Sequence, residues 1–381
     1  MLGPPIDNKT YTNQLLRAVV AHEFGHILGL RHNFTASLNL TPQQLANPKI
    51  VKEEGVTASL MDYVGYNAFG LKTGAPLFNP GPGKYDRWAI AYGYSPVEAA
   101  SPKAEKPALA KIAGRSHEPG LLYQSDELAD GSDPSIVRYD LSSDPLAYAE
   151  RTIAINRELL RTLGARRPRK GETYVSFTRR LRSLLRSPGG PAGQAARYVG
   201  GSINRREVKG DKGEGASFKP VPFAQQRRAL DLITKNIFAP GSLSVPKAYL
   251  TKTAPDPYDF SDLGAAQGYP FRDDIAGVRS NLLGSLFSPD RMTRMANNTW
   301  KFPGQTVEMP ELFTKVRRSV WGTIGPKTVM SAERRDVQRA HLNVLLNFFG
   351  DKVTVPGDAK LIAYGELLNL KKQLTGPRNT S

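Results

Sequence analysis

AHEFGHILGLRHNF (residues 21–34) gathers three of the chain's five histidines, His22, His26 and His32, within a single short stretch. Two histidines four apart on a helix lie on one face about a turn apart, so both imidazoles can reach one ion. His32 follows too far round for a continuing helix. Gly29, lying between the second and third histidines, can take the positive φ that turns the chain back. Neutral imidazole suits Zn²⁺, and three protein ligands leave the fourth position for water, the arrangement of a catalytic rather than a structural site. Glu23, beside the first ligand, is then placed to take a proton from that water and later to protonate a departing amine. The chemistry this builds is peptide-bond hydrolysis. HExxH alone is a weak signal, but HExxHxxGxxH fixes five residue types, and average frequencies put a chance match in such a chain on the order of 10⁻⁵.

Outward from this stretch, apolar residues recurring at three and four predict a helix over 12–28, with Leu15, Leu16, Val19, Val20, Ile27 and Leu28 on its face. Downstream, SLMDYVGYNAFG is followed by TGAPLFNPGPG, a proline and glycine cluster that reads as a loop. A short helix is predicted over 85–94, and the Ala-, Lys- and Pro-rich stretch 95–120 reads as a connection. The domain boundary is placed there, giving 1–100 and 101–381. Beyond it the periodic segments are helical: 145–163, 172–186, 222–238, 275–287, 310–320, 332–349 and 357–374. An excursion near 197–222, rich in Gly, Lys and β-branched residues, suggests a strand pair. There is no internal repeat. The fold class expected is α+β and predominantly α, a zinc-site domain followed by an α-helical one.

The chain has 381 residues, 40% hydrophobic and 23% charged, which is ordinary globular composition with apolar material for more than one core. No apolar run approaches the roughly 18–20 residues of a membrane-spanning helix, and the start MLGPPIDNKT lacks the regions of a signal peptide. Cysteine is absent, which excludes disulfides and thiolate zinc sites and leaves the redox compartment open. The net charge of +17 is compatible with an anionic partner or with a solvated surface.

HEFGHILGLRH matches the extended histidine signature of the metzincin clan of zinc peptidases, which also requires a methionine turn downstream. SLMDY (59–63) looks like that turn. More narrowly, GLRHNF, SLMDYVGYN, GKYDRWAIAYGY and DPSIVRYDLSSDPLAYA resemble the large bacterial secreted proteins whose zinc-binding region is called the Met-zincin domain. The resemblance implies a zinc-dependent endopeptidase that binds one Zn²⁺ through His22, His26 and His32, with Glu23 as general base and acid. It implies Met61 as an apolar floor beneath the ligands, and export from the cell in the full-length form, to the periplasm, the cell surface or the medium. Tyr63, two residues after Met61, matches the position from which some metzincins supply a tyrosine to the oxyanion. A phenol can donate a hydrogen bond to developing negative charge, and it can equally be a packed aromatic beside the turn. The resemblance also implies a twisted sheet ahead of the ligand helix. The few residues before His22 are too short for it, so the chain is expected to be the C-terminal part of a longer polypeptide, or a truncated gene product, and to hydrolyse proteins poorly alone.

Weaker signals remain. Asn33 could support the ligands from behind, although a turn asparagine is the simpler reading. QSDELADGSDP (124–134) gathers Asp126, Glu127, Asp130 and Asp133, oxygen donors that could hold Ca²⁺ or form an ordinary acidic turn. RRPRKGETYVSFTRRLRSLLRS (166–187) sets Phe177, Leu181, Leu184 and Leu185 in a stripe beside Arg179, Arg180, Arg182 and Arg186. Such a helix can pack its stripe into a core or dock on nucleic acid, glycan or membrane. The alternative to a peptidase is therefore a basic binding module with a structural or vestigial zinc site. His117 and His341 have no partner motif and are expected on the surface or in the core.

Overall fold

The computed structural model describes residues 7–129, 131–166, 168–256, 258, 269–323, 330–351 and 353–375. They are predominantly helical, with one two-stranded sheet. The chain divides into two compact units, Met1–Arg151 with Ser202–Lys219 and Thr152–Gly201 with Pro220–Ser381. Residues 101–151, which the sequence assigned to the second domain, thus fall in the first unit. No described helix is long and apolar enough to cross a membrane.

The first unit holds α1 (Asn8–Ile27), α2 (Pro42–Leu45), α3 (Pro48–Glu54), α4 (Lys84–Tyr94) and α5 (Pro102–Ala113), and the start of α6 (Pro145–Thr162). The strands β1 (Ser202–Asn204) and β2 (Phe218–Pro220) form the excursion expected near 197–222. Much of this unit is loop. Asp7 caps α1 by accepting from Thr10 N at 2.9 Å. At its other end Leu30 N bonds Gly25 O at 2.9 Å and Gly29 adopts φ +81°, a turn in which glycine avoids a Cβ clash. The helix expected over 12–28 is present, but of its apolar stripe Leu16, Val19, Val20, Ile27 and Leu28 are exposed, as is Phe24, and only His22 and Gly25 of α1 are buried. The helix meets the rest of its unit through His22 and Gly25 and, nearer its start, through Tyr11, whose ring lies 5.4 Å from Phe78, and Gln14, whose Oε1 accepts from Leu77 N at 2.8 Å, so periodicity marked an apolar face without telling what covers it.

α5 occupies the stretch read as a connection. Pro107 within it removes one backbone donor, yet the Ser101 side-chain cap and the Trp88 indole, which donates to Ile112 O at 2.8 Å, hold the helix against α4.

The second unit contains the remainder of α6, then α7 (Val175–Arg186), α8 (Gly189–Tyr198), α9 (Phe223–Ile233), α10 (Lys247–Leu250) and α11 (Phe271–Leu286). It continues with α12 (Pro289–Lys301), α13 (Met309–Trp321), α14 (Ala332–Asn347) and α15 (Gly357–Thr375). α11 packs on α7, α8 and α14, and α13 on α14 and α15. Phe177, Leu181 and Leu185 are buried, and Arg186 pairs with Asp274 at 2.7 Å while Arg182 lies over the Tyr269 ring at 4.2 Å. The arginine-rich helix therefore spends its stripe on this unit's core. α8 escaped the sequence reading because GGPAG reads as a breaker, and α12 because it offers few apolar positions. The fully buried Gln226 side chain accepts from Gly200 N at 3.0 Å and Val307 N at 3.2 Å and donates to Val221 O at 2.7 Å. It joins three chain segments that lack a common secondary-structure ladder.

His341 is fully buried beside Phe287, and its Nδ1 accepts from the Trp321 indole at 3.1 Å. Burial, with a smaller contribution from the Arg317 charge, pushes its pKa down to about 4 from 6.5. A histidine depressed on folding leaves stability intact above its unfolded pKa, and stability falls as pH drops from 6.5 towards 4. Between pH 7.5 and 5 the wild-type chain should lose about 2 kcal/mol through this group. A His341→Gln variant lacking that share of the loss in paired urea titrations confirms the assignment, and an identical loss contradicts it.

Candidate metal centre

His22, His26 and His32 come together with one ring nitrogen from each, all within 4.8 Å of one another. The rings lie close: His22 to His26 4.8 Å, His26 to His32 4.9 Å and His22 to His32 5.4 Å between centroids. Each ring is oriented through Nδ1, which faces Leu60 O at 2.7 Å in His22, Leu30 O at 3.0 Å in His26 and the Asp126 carboxylate at 3.0 Å in His32. The other nitrogen, Nε2, is buried and without a hydrogen-bond partner in both His22 and His32. Buried polar atoms are rarely left this way, and two of them at one point fit a site built to receive an ion. The donor set, all imidazole, suits zinc. Burial, opposed by the Leu60 hydrogen bond, lowers the His22 pKa, so the neutral form that can ligate a metal is favoured.

Glu23 is exposed on α1 between the first two histidines, and its charge acts on both His22 and Tyr63. The Tyr63 ring lies against His32 at 4.6 Å and His22 at 5.3 Å. Burial, followed by the charges of Asp126 and Glu23, raises its phenol pKa. Tyr139, in a left-handed conformation at φ +66°, stacks on Tyr63 and donates its N–H to Tyr63 O at 2.5 Å.

Met61 is fully buried against α1, so close that a Cβ on Gly25 would sit 2.3 Å from its sulfur. The backbone around it is held by Asp86, which accepts from Ser59 Oγ at 2.5 Å, Leu60 N at 2.8 Å and Gly83 N at 2.8 Å. Burial lifts the Asp86 carboxyl above the usual range against these three bonds. The bond to Leu60 matters most here, because the carbonyl of that residue orients His22. Asp62 next door is buried and accepts from Ser37 N at 2.8 Å, with burial and the Asp140 charge holding its carboxyl well above the ordinary value.

Asn33 is more than a turn residue. It is fully buried, and its amide donates to Leu122 O at 2.9 Å and accepts from Gln124 N at 3.2 Å, while its backbone N–H reaches Met61 O at 3.0 Å. Among the described residues, the acidic stretch 124–134 does not gather its carboxylates into an oxygen cage for Ca²⁺. Asp126 turns to His32, Glu127 pairs with Arg31 at 2.8 Å, and Asp133 accepts from Ser135 N at 2.8 Å and Asn204 N at 2.7 Å. Asp130 lies outside the described residues. His117 is exposed, with Nδ1 facing Gly114 O.

Sequence reasoning thus missed the roles of Asp86, Asp126, Gly25 and Tyr139. Asp126 stood out only as part of a charge cluster, and Gly25, inside the signature, only as one of its unspecified positions. The close approach of Gly25 and Met61 makes a test: Gly25→Ala should destabilise the metal-free chain by about 1–3 kcal/mol through overpacking. Adding Met61→Ala should recover part of that loss in thermal melts, whereas strictly additive effects would mean the two residues do not share the space.

A family model described as Met-zincin matches residues 5–327. No curated protein and no solved structure gives a match. With the histidine signature, the buried methionine behind it and a match over most of its length, the chain belongs to the Met-zincin family.

Proposed function

We propose that this chain is a zinc-dependent metalloendopeptidase in which His22, His26 and His32 hold the ion. The observation that carries the reading is the convergence of the three imidazoles, with two Nε2 atoms buried and unpartnered beside an exposed Glu23. Zinc in this place supplies a Lewis acid that polarises a peptide carbonyl and acidifies water.

The remaining work falls to the protein. Glu23 Oε takes the proton that the attacking water gives up as its oxygen bonds to the carbonyl carbon, and delivers it to the amine nitrogen as the C–N bond breaks. Its exposure suits this role, since the carboxylate is within reach of a substrate. Tyr63, whose raised pKa keeps the phenol protonated, donates a hydrogen bond to the negative charge that develops on the carbonyl oxygen. Met61 and Gly25 set the depth of α1 under the ligands, and Gly29 brings the third histidine round to the first two.

These roles separate in measurement. Glu23→Gln should retain zinc while losing nearly all hydrolysis of casein, because the carboxylate moves protons without holding the metal. Tyr63→Phe should lower turnover by roughly 10²–10³-fold, the cost of one oxyanion donor. His32→Ala should lose the metal itself. A Glu23→Gln protein with wild-type hydrolysis would overturn the proposal.

A further inference from the structure

The three ligand rings are oriented by unlike partners. His22 and His26 face main-chain carbonyls, Leu60 O and Leu30 O, which the turn and the helix exit fix. His32 lies beyond Gly29, outside any helix, and its Nδ1 faces a side chain far along the chain, with Asp126 Oδ1 at 3.1 Å and Oδ2 at 3.0 Å. We propose that Asp126 is the positioning residue for His32, fixing its tautomer and ring plane so that Nε2 is presented to zinc. This rests on the reading of the three histidines as ligands.

The placement of Asp126 is itself built. It opens a single 3₁₀ turn, Asp126–Leu128, and its carboxylate also meets Ser125 Oγ at 3.3 Å, Arg138 at 3.5 Å and Arg31 at 3.9 Å. Asn33, adjacent to His32, ties the same segment through Leu122 O and Gln124 N, so ligand and carboxylate are anchored to one piece of chain. On the other side, Phe34 stacks on the His32 ring at 5.2 Å and 29°, under the Arg138 guanidinium at 4.9 Å. An imidazole that ligates through Nε2 carries its proton on Nδ1, and a carboxylate accepting that proton's hydrogen bond strengthens the nitrogen opposite as a donor. A ligand on a helix inherits its orientation from the helix. His32, on irregular backbone, needs it supplied.

The test uses the full chain with Asp126→Ala, Asp126→Asn and Asp126→Glu, measuring zinc affinity by chelator competition and the visible spectrum of the Co²⁺-substituted protein. Asp126→Ala should weaken zinc binding by about 10–100-fold and alter the cobalt bands. Asp126→Glu should restore most of the affinity, and Asp126→Asn, which keeps the shape without the charge, should fall between them. Should Asp126→Ala fail to fold, the Asn variant carries the comparison. Wild-type zinc affinity and cobalt bands in the Asp126 variants, with metal lost in His32→Ala, overturn the positioning role alone. Metal retained in His32→Ala as well overturns the ligand assignment beneath it.

Discussion

Three imidazoles can bind one ion only if each presents a ring nitrogen to a common point, and a histidine side chain has two torsions with which to miss it. The hydrogen bond at Nδ1 removes that freedom. In this protein each of the three rings has such a partner, and the parts of the first unit that surround the site serve to place those partners. Leu60 O is positioned because Asp86 grips the Leu60 amide, and Asp86 is positioned by α4, whose first turn it occupies. Leu30 O is positioned by the reversal at Gly29, where Leu30 N closes back on Gly25 O.

Packing supplies the second dimension. Gly25 lets Met61 lie against α1 at a distance no side chain would permit, and Met61 O in turn receives the Asn33 amide from the segment carrying His32. Gly83 allows a comparable approach, since a Cβ there would sit 2.1 Å from Ala58 O, and this brings α4 and Asp86 under the turn. The first unit thereby places these groups although much of its chain is loop. The second unit is built differently, as a helical assembly with its own apolar core and polar hubs such as Gln226 and Arg279, whose Nε donates to Ile237 O at 3.0 Å.

The clustering of the three histidines was legible because helical geometry converts a spacing of four into a shared face, and because glycine marks where the helix must end. That Met61 is buried close behind them agrees with its order after the histidines. Asp126 and Asp86 were not legible, because the contacts that define them span 94 residues for Asp126 and 26 for Asp86, and no local pattern distinguishes a carboxylate that faces an imidazole or a buried amide from one that meets solvent. α5 and α8 were hidden by proline and glycine, whose local cost is offset by caps and packing. The outward face of α1 shows the converse limit: Leu16, Val19 and Phe24 have core-like spacing and yet are exposed.

The account stands on all three histidines reaching one ion through nitrogen. X-ray absorption at the zinc edge of the zinc-loaded chain reads that directly. It should show a first shell of nitrogen and oxygen at about 2.0–2.1 Å, with the multiple-scattering pattern of three imidazoles. A shell with two imidazoles or fewer would contradict the claim that His22, His26 and His32 form a single metal centre.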